Sequence, residues 1–148
     1  MNIIFGADHE GFALKEVLKA YAKKQGHNST DLSPLHEEGD DYPDISFAVA
    51  NVVSRMKNAR GVLICNSGTG VCIAANKVSG IRGALCTDVF SAKKSVEDDN
   101  ANVLCLGSGN TSEKSAKKIF DAFMQSTFSK LKRHVRRVKK IIKQEESW

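Results

Sequence analysis

No stretch of this sequence is apolar for long enough to cross a bilayer. Its longest apolar runs, such as Gly61-Val-Leu-Ile-Cys65, are far too short. The N-terminus lacks a basic segment leading into an apolar core, so no signal peptide is expected and the chain reads as cytoplasmic. Cysteine is sparse. Cys65, Cys72, Cys86 and Cys105 form no C-x-x-C pair, and no histidine cluster stands near them at ligand spacing, so a structural zinc site is not expected. Free thiols in a reducing compartment fit this pattern better than disulfides. The G-x-x-x-x-G-K-[ST] spacing of a nucleotide P-loop is absent. Internal repeats, low-complexity tracts and an aromatic motif for stacking nucleic-acid bases are absent too.

What remains is the make-up of one soluble globular domain: 148 residues, 41% hydrophobic and 26% charged. The net charge of +5 is local. Lys130, Lys132, Arg133, Arg136, Arg137, Lys139, Lys140 and Lys143 crowd one C-terminal segment, while the rest of the chain is near charge balance. Such a patch suits nucleic acid, a membrane surface or a small phosphorylated ligand. The missing stacking aromatics count against nucleic acid. So does an apolar stripe on the same segment, Leu131, Val135, Val138 and Ile142. A terminal helix with that stripe is expected to dock on protein, with a second subunit as the natural partner. Residues 127–148 therefore read as a C-terminal helical extension of a single domain spanning 1–148.

Hydrophobic periodicity alternates between two and 3.6 along the chain. Strands are expected over Asn2–Gly6, His27–Leu32, Gly61–Cys65, Ile81–Cys86 and Val103–Leu106. Leu14, Val17, Leu18 and Tyr21 stand at helical spacing ahead of a stop at Gly26. Pro43 opens a helix expected to carry Val49, Val52, Val53 and Met56 inward. Asn110 with Glu113 resembles a capping box, and Ile119, Phe120 and Phe123 follow on one face. Alternating strands and helices predict an α/β fold with a five-stranded parallel sheet covered on both faces. Ligands then belong at the carboxyl ends of the strands, in the loops after Phe5, Cys65, Cys86 and Leu106.

The loop after the third strand is the most informative. Cys65-Asn66-Ser67-Gly68-Thr69-Gly70 runs from a strand into a helix. Its glycines let several backbone N–H groups face one way and, with the helix N-terminus, make an anion site. A thiol at the strand end beside that field is favoured as thiolate. The competing reading is a core cysteine in a buried strand. Ser67 is a catalytic hydroxyl or a turn residue. Asp8 and His9, after the first strand, lie at the same sheet edge, where a helix cap and a surface residue are the plainer readings. Asp41-Tyr42-Pro43 reads as a loop and helix start before it reads as a substrate contact.

Together these segments resemble one family. Gly6-Ala-Asp-His-Glu-Gly-Phe12, Asp41-Tyr42-Pro43, the block from Leu63-Ile-Cys65 to Ile73-Ala-Ala-Asn-Lys77, Asn102-Val-Leu104, Arg133-His134 and Arg137-Val138 are similar to type B ribose-5-phosphate isomerases and to the related galactose-6-phosphate isomerase subunits. The resemblance implies a Rossmann-like α/β/α fold and a homodimer or homotetramer whose sites are built from two subunits. It implies no metal and no cofactor. Carried over by position, Cys65 moves a proton between C2 and C1, because Val71 stands where members without this cysteine carry a carboxylate. The backbone of Asn66, Ser67, Gly68, Thr69 and Gly70 holds the enediolate oxygen, with Ser67 assisting ring opening. Asp8, His9 and Tyr42 contact the sugar; Arg133 and Arg137 bind phosphate, with His134 nearby. The sequence departs from the family at two places. Asp98 stands where a histidine helps open the furanose ring, with Asp99 in the adjoining asparagine position. Gly109 stands where an arginine is usual. Asp98 could serve if it holds a proton, which Asp99 and partial burial would favour. The expected activity is interconversion of ribose 5-phosphate and ribulose 5-phosphate. A six-carbon aldose phosphate, such as allose or galactose 6-phosphate, and a non-catalytic sugar-phosphate sensor stay open as alternatives.

Overall fold

The structure, a computed structural model, describes all 148 residues. Five strands alternate with helices: β1 (Asn2–Ala7), α1 (Phe12–Lys24), β2 (Asn28–Asp31), α2 (Tyr42–Arg55), β3 (Ala59–Cys65), α3 (Thr69–Ala75), β4 (Gly83–Leu85), α4 (Val89–Asp99), β5 (Val103–Gly107), α5 (Glu113–Gln125) and α6 (Lys132–Glu145). All strand pairs are parallel, in the order β2-β1-β3-β5-β4. The chain leaves β1 toward β2 on one side and returns to place β3 on the other. The loops after β1 and β3 therefore part at a switch in strand order, where a crevice opens at the strands' carboxyl ends.

The central strands are apolar on both faces because helices cover both. Along them the side chains alternate. Ile3, Phe5, Val62, Ile64, Leu104 and Leu106 meet α1, α4 and α5, whereas Ile4, Leu63, Cys65, Val103 and Cys105 meet α2 and α3. This alternation aims Cys65 at the layer formed by α2 and α3. No helix is long and apolar enough to cross a membrane.

The structure differs from the sequence reading at several element ends. The expected β4 from Ile81 to Cys86 shrinks to three residues. Met56 is not carried inward: α2 ends at Arg55, and Met56, just past it, is 38% exposed. The start of α5 is capped by Ser112, whose Oγ accepts the Ser115 N–H at 3.2 Å; Asn110 instead accepts from Thr111 Oγ1. The apolar stripe of α6 is only partly covered. Val138 and His134 are buried against the chain's own α4 side, while Leu131, Ile141 and Ile142 stay exposed.

Candidate active site

The loop after β1 is shaped by Asp8, whose Oδ1 accepts the amides of Glu10 and Gly11, each at 3.0 Å, and closes the turn ahead of α1. Its neighbour His9 is thrown outward, where it meets the loop preceding α2. One carboxylate oxygen of Asp40 accepts both the His9 backbone N–H and its ring Nδ1, each at 2.8 Å. That bond, assisted by the charges of Asp8, Asp40 and Glu10, raises the imidazole pKa against the opposing effect of desolvation.

At the end of β3 the Cys65 side chain is almost fully buried, yet its sulfur does not face apolar groups alone. The Gly68 N–H donates to Sγ at 3.2 Å. This cysteine packs in the core formed by α2 and α3 and at the same time holds its sulfur under the turn that opens α3. Gly70 is required by close approach. A Cβ there would lie 2.5 Å from the Tyr42 ring, so glycine lets Tyr42 lean over the first turn of α3. Ser67 Oγ accepts the Thr69 N–H at 3.3 Å, the turn role set beside the catalytic one. With the amides of Gly68 and Thr69 turned onto Cys65 and Ser67, the loop residues that line the cleft are Asn66, Ser67 and Gly70.

These groups converge on one cleft of about 390 Å³, lined by Asp8, His9, Glu10, Asp40, Asp41, Tyr42, Cys65, Asn66, Ser67 and Gly70. The structure thus gathers Asp8, His9, Tyr42, Cys65, Asn66, Ser67 and Gly70 as expected, and keeps Gly68 and Thr69 in the same loop just behind. Glu10 and Asp40 were not anticipated as site residues, and Asp41 was read as a loop residue before a substrate contact. Asp41 borders the Tyr42-Pro43 pair, but no local pattern links Asp40 to a histidine 31 positions earlier.

The remaining candidates lie elsewhere on the chain. Helix α4 starts beyond the carboxyl end of β4 and finishes ahead of β5, so Asp98 and Asp99 sit at the opposite end of the sheet from Cys65, which pairs with Gly107. Asp98 Oδ1 lies 3.6 Å from His134 Nε2, and His134 Nδ1 is 2.5 Å from Ser129 Oγ. Asp99 borders a separate cleft with Arg82 and Trp148. Arg133 and Arg137 project from α6 into solvent. Within one chain, therefore, the thiol cleft and the arginine-bearing helix are two separate constellations. No group of three or more His, Cys, Asp or Glu side chains gathers at metal-holding distance.

The sequence is matched by the Ribose/Galactose Isomerase family over residues 3–141. A probable ribose-5-phosphate isomerase B of Mycoplasma genitalium is 41% identical over 98% of this chain and 96% of its own length. The crystal structure of ribose-5-phosphate isomerase B from that organism, with bound ribulose-5-phosphate, superposes with a TM-score of 0.94 at 40% identity, covering 99% of this chain and 97% of the other. Type B ribose 5-phosphate isomerase from Trypanosoma cruzi matches over the full length of both chains, with a TM-score of 0.95 at 39% identity. Likeness on this scale covers β1 through α6, including both the thiol cleft and the arginine-bearing helix, and the chain belongs to the ribose/galactose isomerase family.

Proposed function

We propose that this chain is an aldose–ketose isomerase interconverting ribose 5-phosphate and ribulose 5-phosphate, with Cys65 as the proton carrier. The observation that carries the proposal is the Cys65 sulfur, held 3.2 Å from the Gly68 amide at the floor of a cleft that His9, Tyr42 and Asn66 also line. A proton donor aimed at sulfur stabilises negative charge on it. The Cys65 thiolate takes the C2 proton of the open aldose. The electron pair of the broken C–H bond forms a C1=C2 double bond, and negative charge moves to O1. The O2 proton passes to O1, the thiol proton is returned to C1, and the ketose results with no net oxidation. Fixed dipoles from Asn66, Ser67 and Gly70 stabilise the oxygen that becomes negative, and Ser67 assists opening of the sugar ring.

The charge pattern supports a site completed by a second copy of the chain. The cleft carries four acidic residues, Asp8, Glu10, Asp40 and Asp41, and a single histidine. Alone it repels a phosphate. Arg133 and Arg137, with His134 and its neighbour Asp98, stand away from this cleft, next to uncovered Leu131 and Ile142. Docking α6 across a partner's cleft brings guanidinium forks to the phosphate, and Asp98 to the sugar ring. The assembly is a homodimer or a dimer of dimers, and free thiols and a phosphorylated metabolite suit the cytoplasm.

The test is a coupled assay with ribose 5-phosphate on the purified protein and on Cys65→Ala. Loss of a positioned proton carrier is expected to lower kcat roughly 10³-fold, with melting little changed. Near-normal turnover by the variant removes Cys65 from the mechanism. Faster turnover of allose or galactose 6-phosphate reassigns the substrate, and binding without turnover makes the protein a sensor.

A further inference from the structure

We propose that Asp40 is the positioning residue of His9: it holds the ring by Nδ1 and thereby presents Nε2 to the sugar phosphate. This deepens the reading of the cleft as an isomerase site and rests on it. The geometry is specific. A single oxygen of Asp40 accepts from both the His9 backbone amide and ring Nδ1 at 2.8 Å, so the carboxylate fixes the ring relative to its own main chain. Nδ1 keeps its proton whether the ring is neutral or charged, because a carboxylate accepts and does not donate. The exchangeable proton is therefore the one on Nε2, whose nearest ionic neighbour is Glu10 Oε1 at 3.8 Å.

Asp40 sits in the loop joining β2 to α2, where its amide donates to the Glu37 carbonyl at 3.4 Å. The start of that loop is anchored by Ser33, which accepts the Ala7 amide on Oγ at 3.0 Å and donates its own amide to Asp31 at 2.9 Å. The side chains of His9 and Asp40 are 29% and 26% exposed, so their bond is partly shielded from water but open to the cleft. The other titratable groups facing His9 are Asp8 and Glu10 on its own loop, Asp41 and Tyr42 at the start of α2, and Cys65 at the end of β3. Only Asp40 bonds to the ring. That bond, and after it the charges of the acidic neighbours, favour the protonated ring against the opposing effect of desolvation. A protonated Nε2 donates to a phosphate or hydroxyl oxygen; a neutral one in the same pose can only accept.

Three measurements decide it on the full-length protein. The His9 ring is titrated by NMR in the wild type and in Asp40→Asn, with its signal identified by its loss in His9→Gln. The inference expects the titration to move to lower pH in Asp40→Asn, and an unmoved titration overturns it. Ribose 5-phosphate kinetics are then expected to show kcat/KM falling roughly 10- to 100-fold in Asp40→Asn, as for a lost charge-assisted hydrogen bond. The loss falls mainly on KM, with the alkaline limb shifted to lower pH. Asp40→Glu, which keeps the charge, recovers part of it. Finally, Asp40→Asn is made in the His9→Gln background. Because the carboxylate acts through the ring, it should cost little there, whereas an equal cost in both backgrounds shows a merely structural loop residue and overturns the inference. A wild-type protein that binds but does not isomerise ribose 5-phosphate sinks the functional reading instead, and the NMR titration then still judges Asp40.

Discussion

Lys15 offers the sharpest test of how the fold supports the cleft. It is a fully buried ammonium in α1, with Nζ 2.8 Å from Asp31 Oδ2, 3.1 Å from Glu16 Oε1, and donating to the Ser33 carbonyl. Asp31 is nearly as enclosed, at 9% exposure of its side chain. Replacing Lys15 by Met keeps an apolar stem of similar length and removes the charge, together with the ammonium's 4.3 Å approach to the Phe12 ring centroid. Asp31 is left with Lys19, 2.8 Å away and partly solvated. Breaking a buried pair by removing one partner costs about 3–5 kcal/mol. For a chain of this size the loss corresponds to a melting temperature lower by on the order of 10 °C. Calorimetry or urea unfolding at fixed protein concentration reads it directly. Lys15→Met with Asp31→Asn removes both charges and should recover most of the loss. A single variant within about 0.5 kcal/mol of wild type, the range of neutral surface changes, refutes the claim that this cluster holds β2 and the following loop to α1.

The same cluster sets an acid limit. Burial raises the pKa of Asp31 and Glu16, but bonds from Lys15 and Lys19 outweigh it and both end lowered. Groups depressed in the folded state contribute stability in full above the ordinary carboxylate value of about 4, and that contribution fades as pH falls through the folded value. Urea midpoints should therefore drop below about pH 4, and less steeply in Lys15→Met; equal slopes refute the linkage. Gly109→Arg, although it introduces the arginine that the family resemblance implies there, should reduce kcat/KM, on the order of tenfold or more. A Cβ at 109 would lie 2.5 Å from Asn66 Oδ1 and 3.1 Å from its carbonyl, in a loop that lines the cleft. Adding Asn66→Gly removes the worse contact and should restore rate, and a gain from Gly109→Arg alone refutes the steric argument. Cys72 is held down to about 7, first by the Cys105 thiol, against burial and with help from the Leu85 backbone and Asn76, whereas burial raises Cys86. Iodoacetamide near neutral pH should accordingly modify Cys72 before Cys86 and Cys105, and mass spectrometry showing the reverse order refutes that microenvironment.

The periodicity of the chain carried the architecture because each element has one dominant demand. Val62, Leu63 and Ile64 are apolar on both faces, which only a strand buried between two helical layers satisfies. Phe120 and Phe123 fall on one face of α5 because their spacing matches its turn. The misplaced details are those settled by tertiary context. β4 is short because only Gly83 to Leu85 stand in ladder register with β5, although the Cys86 amide just beyond still donates to the Cys105 carbonyl at 3.2 Å. Asn110 lost the cap of α5 to Ser112 because both satisfy the local rule and the chain uses one. Lys15 could not be read as buried at all. Its partners Asp31 and Ser33 lie on another element, and a lysine at a core-facing position of α1 looks like an interruption of the pattern.

The site divides along the same line. The thiol, the glycine-bearing loop and the two residues after β1 were legible because strand ends of a parallel sheet place them together whatever the sequence between them. Asp40 was not, since its link to His9 depends on how the β2–α2 loop folds back, and loops obey no period. Asp98, His134, Arg133 and Arg137 were legible as chemistry but not as place. One chain sets them at the far end of the sheet from Cys65, where they pair among themselves or face solvent. A cleft rich in carboxylates and a helix rich in guanidinium groups, each facing outward on the same molecule, are complementary only between molecules. On the proposed isomerase reading, that separation makes phosphate binding the property of two copies together, while the thiol and its amide donor belong to each chain alone.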